Sequence, residues 1–190
     1  MPKLKSELTD EEIAEMIQKG NSKFFESLIK RYEAKMTRYA RKFLSNYHDI
    51  EDLVQNIFIK VYVNIKSFDT SRKFSPWIYR IAHNEFINAI KKKGKEPLPL
   101  FDLDIIFPHS ASKERVENEI DKKEMRKILN KCLKKINSKY REPLVLRYFE
   151  ELNYQEIADV LKIPVSTVGI RLKRGKEKMK LFCDKINYYE

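Results

Sequence analysis

The stretch that decides the fold is YQEIADVLKIPVSTVGIRLKRGKEKMK, residues 154–180. It reads as a helix from Tyr154 to Leu161, a short turn of Lys162, Ile163 and Pro164, and a second helix from Val165 onward. Ala158 is small where the two helices would cross. Ile157, Leu161, Ile163, Val168 and Leu172 occupy the inward positions of a helix-turn-helix. The second helix turns Ser166, Thr167, Gly169, Ile170, Arg171, Lys173 and Arg174 outward, and its N-terminal half suits a DNA major groove. Arg171 is the first candidate for a base or phosphate contact, because guanidinium can donate to either. A plain αα-hairpin is the competing reading, and the dense cations on the second helix argue against it. Just upstream, LNKCLKKINSKYREPLVLRYFEELN (129–153) supplies two more helices. Leu129, Leu133, Ile136, Leu144, Val145 and Tyr148 are the expected core behind the hairpin.

Working outward, the charge divides the chain into modules. The net charge of +11 over 190 residues splits into −2 for residues 1–21, +9 for 22–95, −3 for 96–112 and +7 for 113–190. The acidic stretch EPLPLFDLDIIFPHSAS (96–112) carries Pro97, Pro99 and Pro108, which forbid a continuous helix. It is expected to link a domain at 1–95 to one at 113–190. Two basic modules on one connector suit a long polyanionic partner.

The first module is helical by pattern. Thr9 with Glu12 forms a capping-box signature. Phe24, Phe25, Leu28, Ile29 and Tyr32 begin a second helix that continues through Met36, Tyr39, Ala40 and Phe43. In a third, from about Asp49 to Ile65, Ile50, Val54, Ile57, Val61 and Ile65 recur at helical spacing. Its first turns carry Asp49, Glu51, Asp52, Gln55 and Asn56, charges that by themselves could simply favour a helix start. In SFDTSRKFSPWIYRIAHNEFINAIKKKGK (67–95), Ser75 is the expected N-cap and Pro76 the first helical residue. Trp77, Ile78, Ile81, Ala82, Phe86, Ala89 and Ile90 fall on one arc, and Arg80, His83, Asn84, Asn88 and Lys91 on the other. Cations and amides beside aromatics suit single-stranded nucleic acid. An ordinary amphipathic helix with Trp77 buried explains the pattern equally well. Lys91, Lys92, Lys93 and Lys95 either attract phosphate or form a solvated helix end.

Composition excludes several chemistries. With four glycines there is neither G-x-G-x-x-G nor a P-loop, and few tight turns for an all-β fold. Cys132 and Cys183 stand apart in sequence; a disulfide between them is possible but unnecessary in a reducing cytosol, so free thiols are expected, and His48, His83 and His109 show no ligand spacing. No metal, cofactor or catalytic residue is expected, nor any small-molecule substrate. No apolar leader or membrane-length run is visible, so a soluble, unsecreted protein without membrane insertion is expected. The fold expected is all-α, in two small helical domains.

Four stretches together resemble the extracytoplasmic-function (ECF) sigma factors of bacterial RNA polymerase: GNSKFFESLIKRYEAKM, DIEDLVQNIFIKVYVNIKSFD, FSPWIYRIAHN and REPLVLRYFEELNYQEIADVLKIPVSTVGIRLKRGKEKM. In order they are similar to sigma regions 2.1, 2.2, 2.3–2.4 and 4.1–4.2. The resemblance implies a subunit, not an enzyme, that binds the clamp and flap of core polymerase, recognises and melts promoter DNA, and then dissociates. It implies a cytoplasmic location and an anti-sigma partner. Asp49, Glu51, Asp52, Gln55 and Asn56 would then dock on the clamp, Asn56 standing where an acid is commoner. Phe68, Ile81 and Asn84 match the pocket for a flipped −10 base, and Trp77 the melting face. Arg80, Lys91 and Lys92 would hold phosphates. His83 and Asn88 share that face, Asn88 replacing a more usual Asp. Ser166, Thr167, Ile170, Arg171, Lys173 and Arg174 would read the −35 element. Gly169 and Ile170 replace common Lys/Arg and Ser/Thr, and Lys162 a frequent turn glycine. The linker would thread the polymerase cleft. A stand-alone helix-turn-helix regulator is the main rival.

Overall fold

Thr9 opens the first helix as its sequence predicts. Its Oγ1 accepts from the Glu12 N–H at 3.2 Å, and the Glu12 carboxylate accepts from the Thr9 N–H at 2.7 Å. The computed structural model describes residues 8–41, 44, 46–93, 129, 132–133 and 135–187, and among these all regular structure is helical. Helix α1 spans Asp10–Gln18, α2 Phe25–Ala40, α3 Tyr47–Asn64, α4 Phe74–Lys93, α5 Ser138–Tyr148, α6 Tyr154–Leu161 and α7 Val165–Asn187. They divide into two compact units: α1–α4 lie in the first, and α5, α7 and most of α6 in the second. The linker 96–112 and Phe43 fall outside the described residues.

In the first unit the expected stripe of α3 is buried throughout: Ile50, Val54, Ile57 and Val61, with Ile65 following in a 3-10 turn. Around it pack Leu28, Tyr32, Met36 and Tyr39 of α2 and Ile78, Tyr79, Ala82 and Phe86 of α4. Each such side chain contributes about 1.5–3 kcal/mol on leaving water. Burying a tyrosine also requires a partner for its hydroxyl. Tyr32 donates to Asp10 at 2.6 Å, and Arg31 holds the other oxygen of that carboxylate at 2.6 Å. Burial beside Asp10 pushes the Tyr32 hydroxyl far above its usual range, so it stays protonated.

The start of α4 differs from expectation. The helix begins at Phe74, one residue before Ser75, because the Phe74 N–H is capped from afar by the Glu11 carboxylate of α1 at 2.9 Å. Pro76 still falls within the first turn, where its missing N–H leaves no bond unmade.

In the second unit Asn153 caps α6 reciprocally with Glu156, and Lys162 ends it in the left-handed conformation at φ +52°. Ile157, Ala158, Val168 and Leu172 are buried as expected, while Leu161 and Ile163 are half-buried. Leu133, Ile136, Leu144 and Val145 complete that core. Tyr148 does not join it: it is 52% exposed, with the Lys176 ammonium 5.4 Å from its ring centre. Leu146 and Leu152 take the interior volume instead. Gly175 is where α7 meets α5, since a Cβ there would lie 3.0 Å from Leu144 Cδ1. Cys132 and Cys183, 51 residues apart in sequence, meet as free thiols with their sulfurs 2.6 Å apart.

Candidate nucleic-acid interface

Three helical faces carry the candidate residues. On α3, Asn46 Oδ1 accepts from the N–H groups of His48 at 2.9 Å and Asp49 at 3.4 Å, which fixes the helix start. Glu51, Asp52, Gln55 and Asn56 are exposed and Asp49 is half-buried. Glu51 is steadied by its own turn: it accepts from the Tyr47 hydroxyl, raising the pKa of that phenol, and lies 3.8 Å from His48 Nδ1. Two turns on, the same face carries Ile59 and Val63, 59% and 69% exposed. Apolar residues on a helix read as core in sequence, so the exposure of these two emerges only from the fold.

Helix α4 is aimed by the loop before it. Gln18 Nε2 donates to the carbonyls of Ile65 and Phe68, each at 2.7 Å, tying the loop to α1. Asp69 Oδ1 accepts from the Ser71 N–H and hydroxyl, which lowers the Asp69 pKa and builds a tight Asx turn. The loop delivers Phe68 inward. Its ring is buried, 5.4 Å from Phe74 and 5.0 Å from Trp77, so it supports the tryptophan from beneath.

Trp77 and Ile81 are half-buried, and Arg80, Asn84 and Asn88 exposed. At 100° per residue these five fall within about 100° of one another on α4. Trp77 therefore falls between Asn84 and Asn88, with Ile81 at one edge, and neither belongs to the inward arc, which is Ile78, Tyr79, Ala82 and Phe86. The result is one face combining an aromatic ring, an aliphatic side chain, a cation and two amides. His83 departs from that face. It is half-buried with Nδ1 3.3 Å from the Tyr39 hydroxyl, and burial lowers its pKa to about 4, so it carries no charge near neutrality. Lys91 and Lys92 continue the helix, and their side chains lie outside the described residues.

On α7, Ser166, Ile170, Lys173 and Arg174 are exposed along one stripe, opposite the buried Val168, Leu172 and Gly175. Thr167 and Arg171 are half-buried along its side. Arg174 donates to the Tyr140 hydroxyl of α5 and lowers its pKa. Burial raises the pKa of Glu142, also on α5, to about 7, and the charges of Arg141 and Arg171 oppose that rise. Glu142 was missed from sequence, since nothing local marks a carboxylate that tertiary packing will bury.

Comparison with known proteins places the chain in a family. Residues 28–96 match the model of sigma-70 region 2, and residues 126–179 that of sigma-70 region 4. The chain is 37% identical over 178 residues to the ECF RNA polymerase sigma factor SigW of Bacillus subtilis, covering 86% of this chain and 91% of that protein. It is 32% identical over 181 residues to the ECF RNA polymerase sigma-E factor of Escherichia coli K12, covering 92% and 94%.

The chain belongs to the ECF sigma factors.

Its fold agrees. The solved structure of CnrH in complex with the cytosolic domain of CnrY superposes with a TM-score of 0.68 at 23% identity, covering 93% of this sigma factor and 97% of that chain. The sigma factor RpoE of Bartonella quintana, solved with the anti-sigma factor NepR, superposes with a TM-score of 0.63 at 18% identity, covering 84% and 96%. In this sigma factor the region 2 match takes in α3 and α4, and the region 4 match takes in the helix-turn-helix. Among the described residues no helix is long and apolar enough to cross a membrane, and no group of three metal-ligating side chains converges.

Proposed function

We propose that this sigma factor binds core RNA polymerase, selects and melts promoter DNA, and makes or breaks no covalent bond itself. The observation that carries the reading is the pairing, in one chain, of a region 2 match over α3–α4 with a region 4 match over α5–α7. A stand-alone helix-turn-helix regulator has no use for the first module.

Each face takes one task. The exposed side of α3 docks on the polymerase clamp, with Glu51, Asp52, Gln55 and Asn56 supplying polar contacts and Ile59 and Val63 an apolar continuation. The outer face of α4 engages the −10 region. Trp77 stacks at the point of melting, Ile81 and Asn84 line the place of an unstacked base, and Arg80 with the helix-end lysines neutralises phosphate. Phe68 acts from below, as the ring on which Trp77 rests. Asn88 extends the amide row, and His83 positions the helix through Tyr39 without touching DNA. The α7 stripe reads the −35 duplex, Ser166, Thr167 and Arg171 toward base edges and Lys173 and Arg174 toward phosphate. Ile170 contributes apolar contact.

The modules are bounded at 1–95 and 113–190, with the acidic segment 96–112 between them, and the protein works in the cytoplasm. An anti-sigma protein holds it inactive, as the solved complexes of CnrH and of Bartonella RpoE suggest by analogy.

Charge reversal tests the docking face. Glu51→Lys with Asp52→Lys should weaken capture by purified core polymerase at least tenfold while leaving the helical circular dichroism unchanged. Undiminished capture would remove α3 from the docking surface.

A further inference from the structure

The two thiols of the second unit are the feature that promoter recognition does not use. Cys132 is fully buried, whereas Cys183, in the last turns of α7, is half-buried and within reach of solvent. Their sulfurs are 2.6 Å apart, and the chain holds no other cysteine. Any intramolecular disulfide must therefore join this pair.

We propose that Cys132 and Cys183 form a peroxide-oxidisable dithiol whose product is an intramolecular disulfide tying Cys132, ahead of α5, to the C-terminal turns of α7. No CxxC spacing marks the pair in sequence, and it is the fold that brings the two sulfurs into contact. The order of events follows from access. Cys183 meets the oxidant first: its thiolate sulfur attacks one peroxide oxygen, the O–O bond breaks, and hydroxide leaves and is protonated to water. Cys183 is then a sulfenic acid. The Cys132 sulfur attacks it, forming the S–S bond, and the departing hydroxide takes the Cys132 proton as a second water. Two thiols and one peroxide thus give one disulfide and two waters. The sulfurs together lose two electrons and the peroxide oxygens gain them.

Cys132 is suited to the resolving role. Burial is the main cause that pushes its pKa up to about 12, aided by the neighbouring Cys183 and opposed by Lys135. It is thus a poor target for the oxidant itself, and the contact with Cys183 compensates by proximity. Cys183 lies nine residues beyond Arg174, about 13 Å along the helix, so the bond leaves the DNA-reading stripe itself untouched. Its effect is on the unit's resistance to unfolding, since the cross-link encloses α5, α6 and most of α7.

The test treats the full chain with hydrogen peroxide, then denatures and alkylates it. The intact mass should show loss of two hydrogens and no alkylation at either cysteine. A tryptic peptide linking Cys132 to Cys183 should appear, and a dithiol reductant should restore both thiols. The oxidised chain should also unfold at a higher temperature than the reduced one. In Cys132→Ser, Cys183 should instead stop at a dimedone-reactive sulfenic acid or progress to sulfinic acid. Alkylation of both cysteines after oxidation, oxygen addition at Cys183 without a cross-link in the natural chain, or a disulfide only between two chains would each overturn the proposal.

Discussion

Lys162 holds φ at +52° in the turn of the helix-turn-helix, where its N–H closes the helix on the Ala158 carbonyl. A side chain in that conformation brings Cβ against the following carbonyl, at a cost of about 1–2 kcal/mol. Lys162→Gly should therefore raise the stability of the second unit by about 1 kcal/mol, read as a higher denaturant midpoint. An unchanged or lower midpoint would show that the lysine is not strained there. The two glycines of α7 should respond oppositely to alanine. At Gly175 a Cβ would meet Leu144 Cδ1 at 3.0 Å and the Tyr140 carbonyl at 3.2 Å, and backbone cannot give way cheaply. Gly175→Ala should cost about 1–3 kcal/mol. At Gly169 the nearest atom is Tyr154 Cε2 at 3.8 Å, so Gly169→Ala should gain about 1 kcal/mol from helix propensity. Helix propensity alone disfavours both glycines equally. Only the approach of α5 separates them.

At the scale of the element, the hairpin was legible to the residue: α6 ends at Leu161 and α7 starts at Val165 because Asn153, the Lys162 turn and Pro164 punctuate locally. The start of α4 was not, since its cap is Glu11, 63 residues away. Nor was the placing of Trp77, Ile81 and His83 around that helix. Polarity groups Trp77 and Ile81 with the core and His83 with the surface, whereas the packed helix holds the histidine against Tyr39 and leaves the tryptophan half-buried between Asn84 and Asn88. Tyr148 differs from expectation for the related reason that an aromatic face can hold a lysine ammonium at the surface. On α5, burial makes Glu142 an element-level liability. With its folded pKa near 7 and its unfolded value near 4.5, the folded state holds the proton more tightly. The second unit should consequently lose stability as pH rises from about 4.5 to about 7, then level off. Glu142→Gln should flatten that slope in pH-dependent denaturation and leave the unit more stable than the natural chain at pH 8. A persisting slope would assign it to another group.

At the scale of the molecule, His83 gives the first unit the opposite response. Its folded pKa near 4 lies below its ordinary 6.5, so the unfolded chain binds the proton more tightly, and this unit should gain stability between about pH 4 and 6.5. Trp77, the only tryptophan, lies in the first unit, so its fluorescence follows that unit's unfolding while circular dichroism follows both. The charge division read from sequence is +9 and +7 about a −3 connector, and the described helices form two units, each with its own exposed faces. What charge could not reveal is which cations face outward, because that depends on neighbours such as Tyr140 and Glu142. The two modules should act together on polymerase and promoter, which run-off transcription with purified core polymerase on promoter DNA from the protein's own host measures. Discrete transcripts that core enzyme alone does not make are expected. Trp77→Ala with Asn84→Ala should abolish them while core binding is retained. Transcription no different with and without the chain, at every host promoter tried, would contradict this joint action.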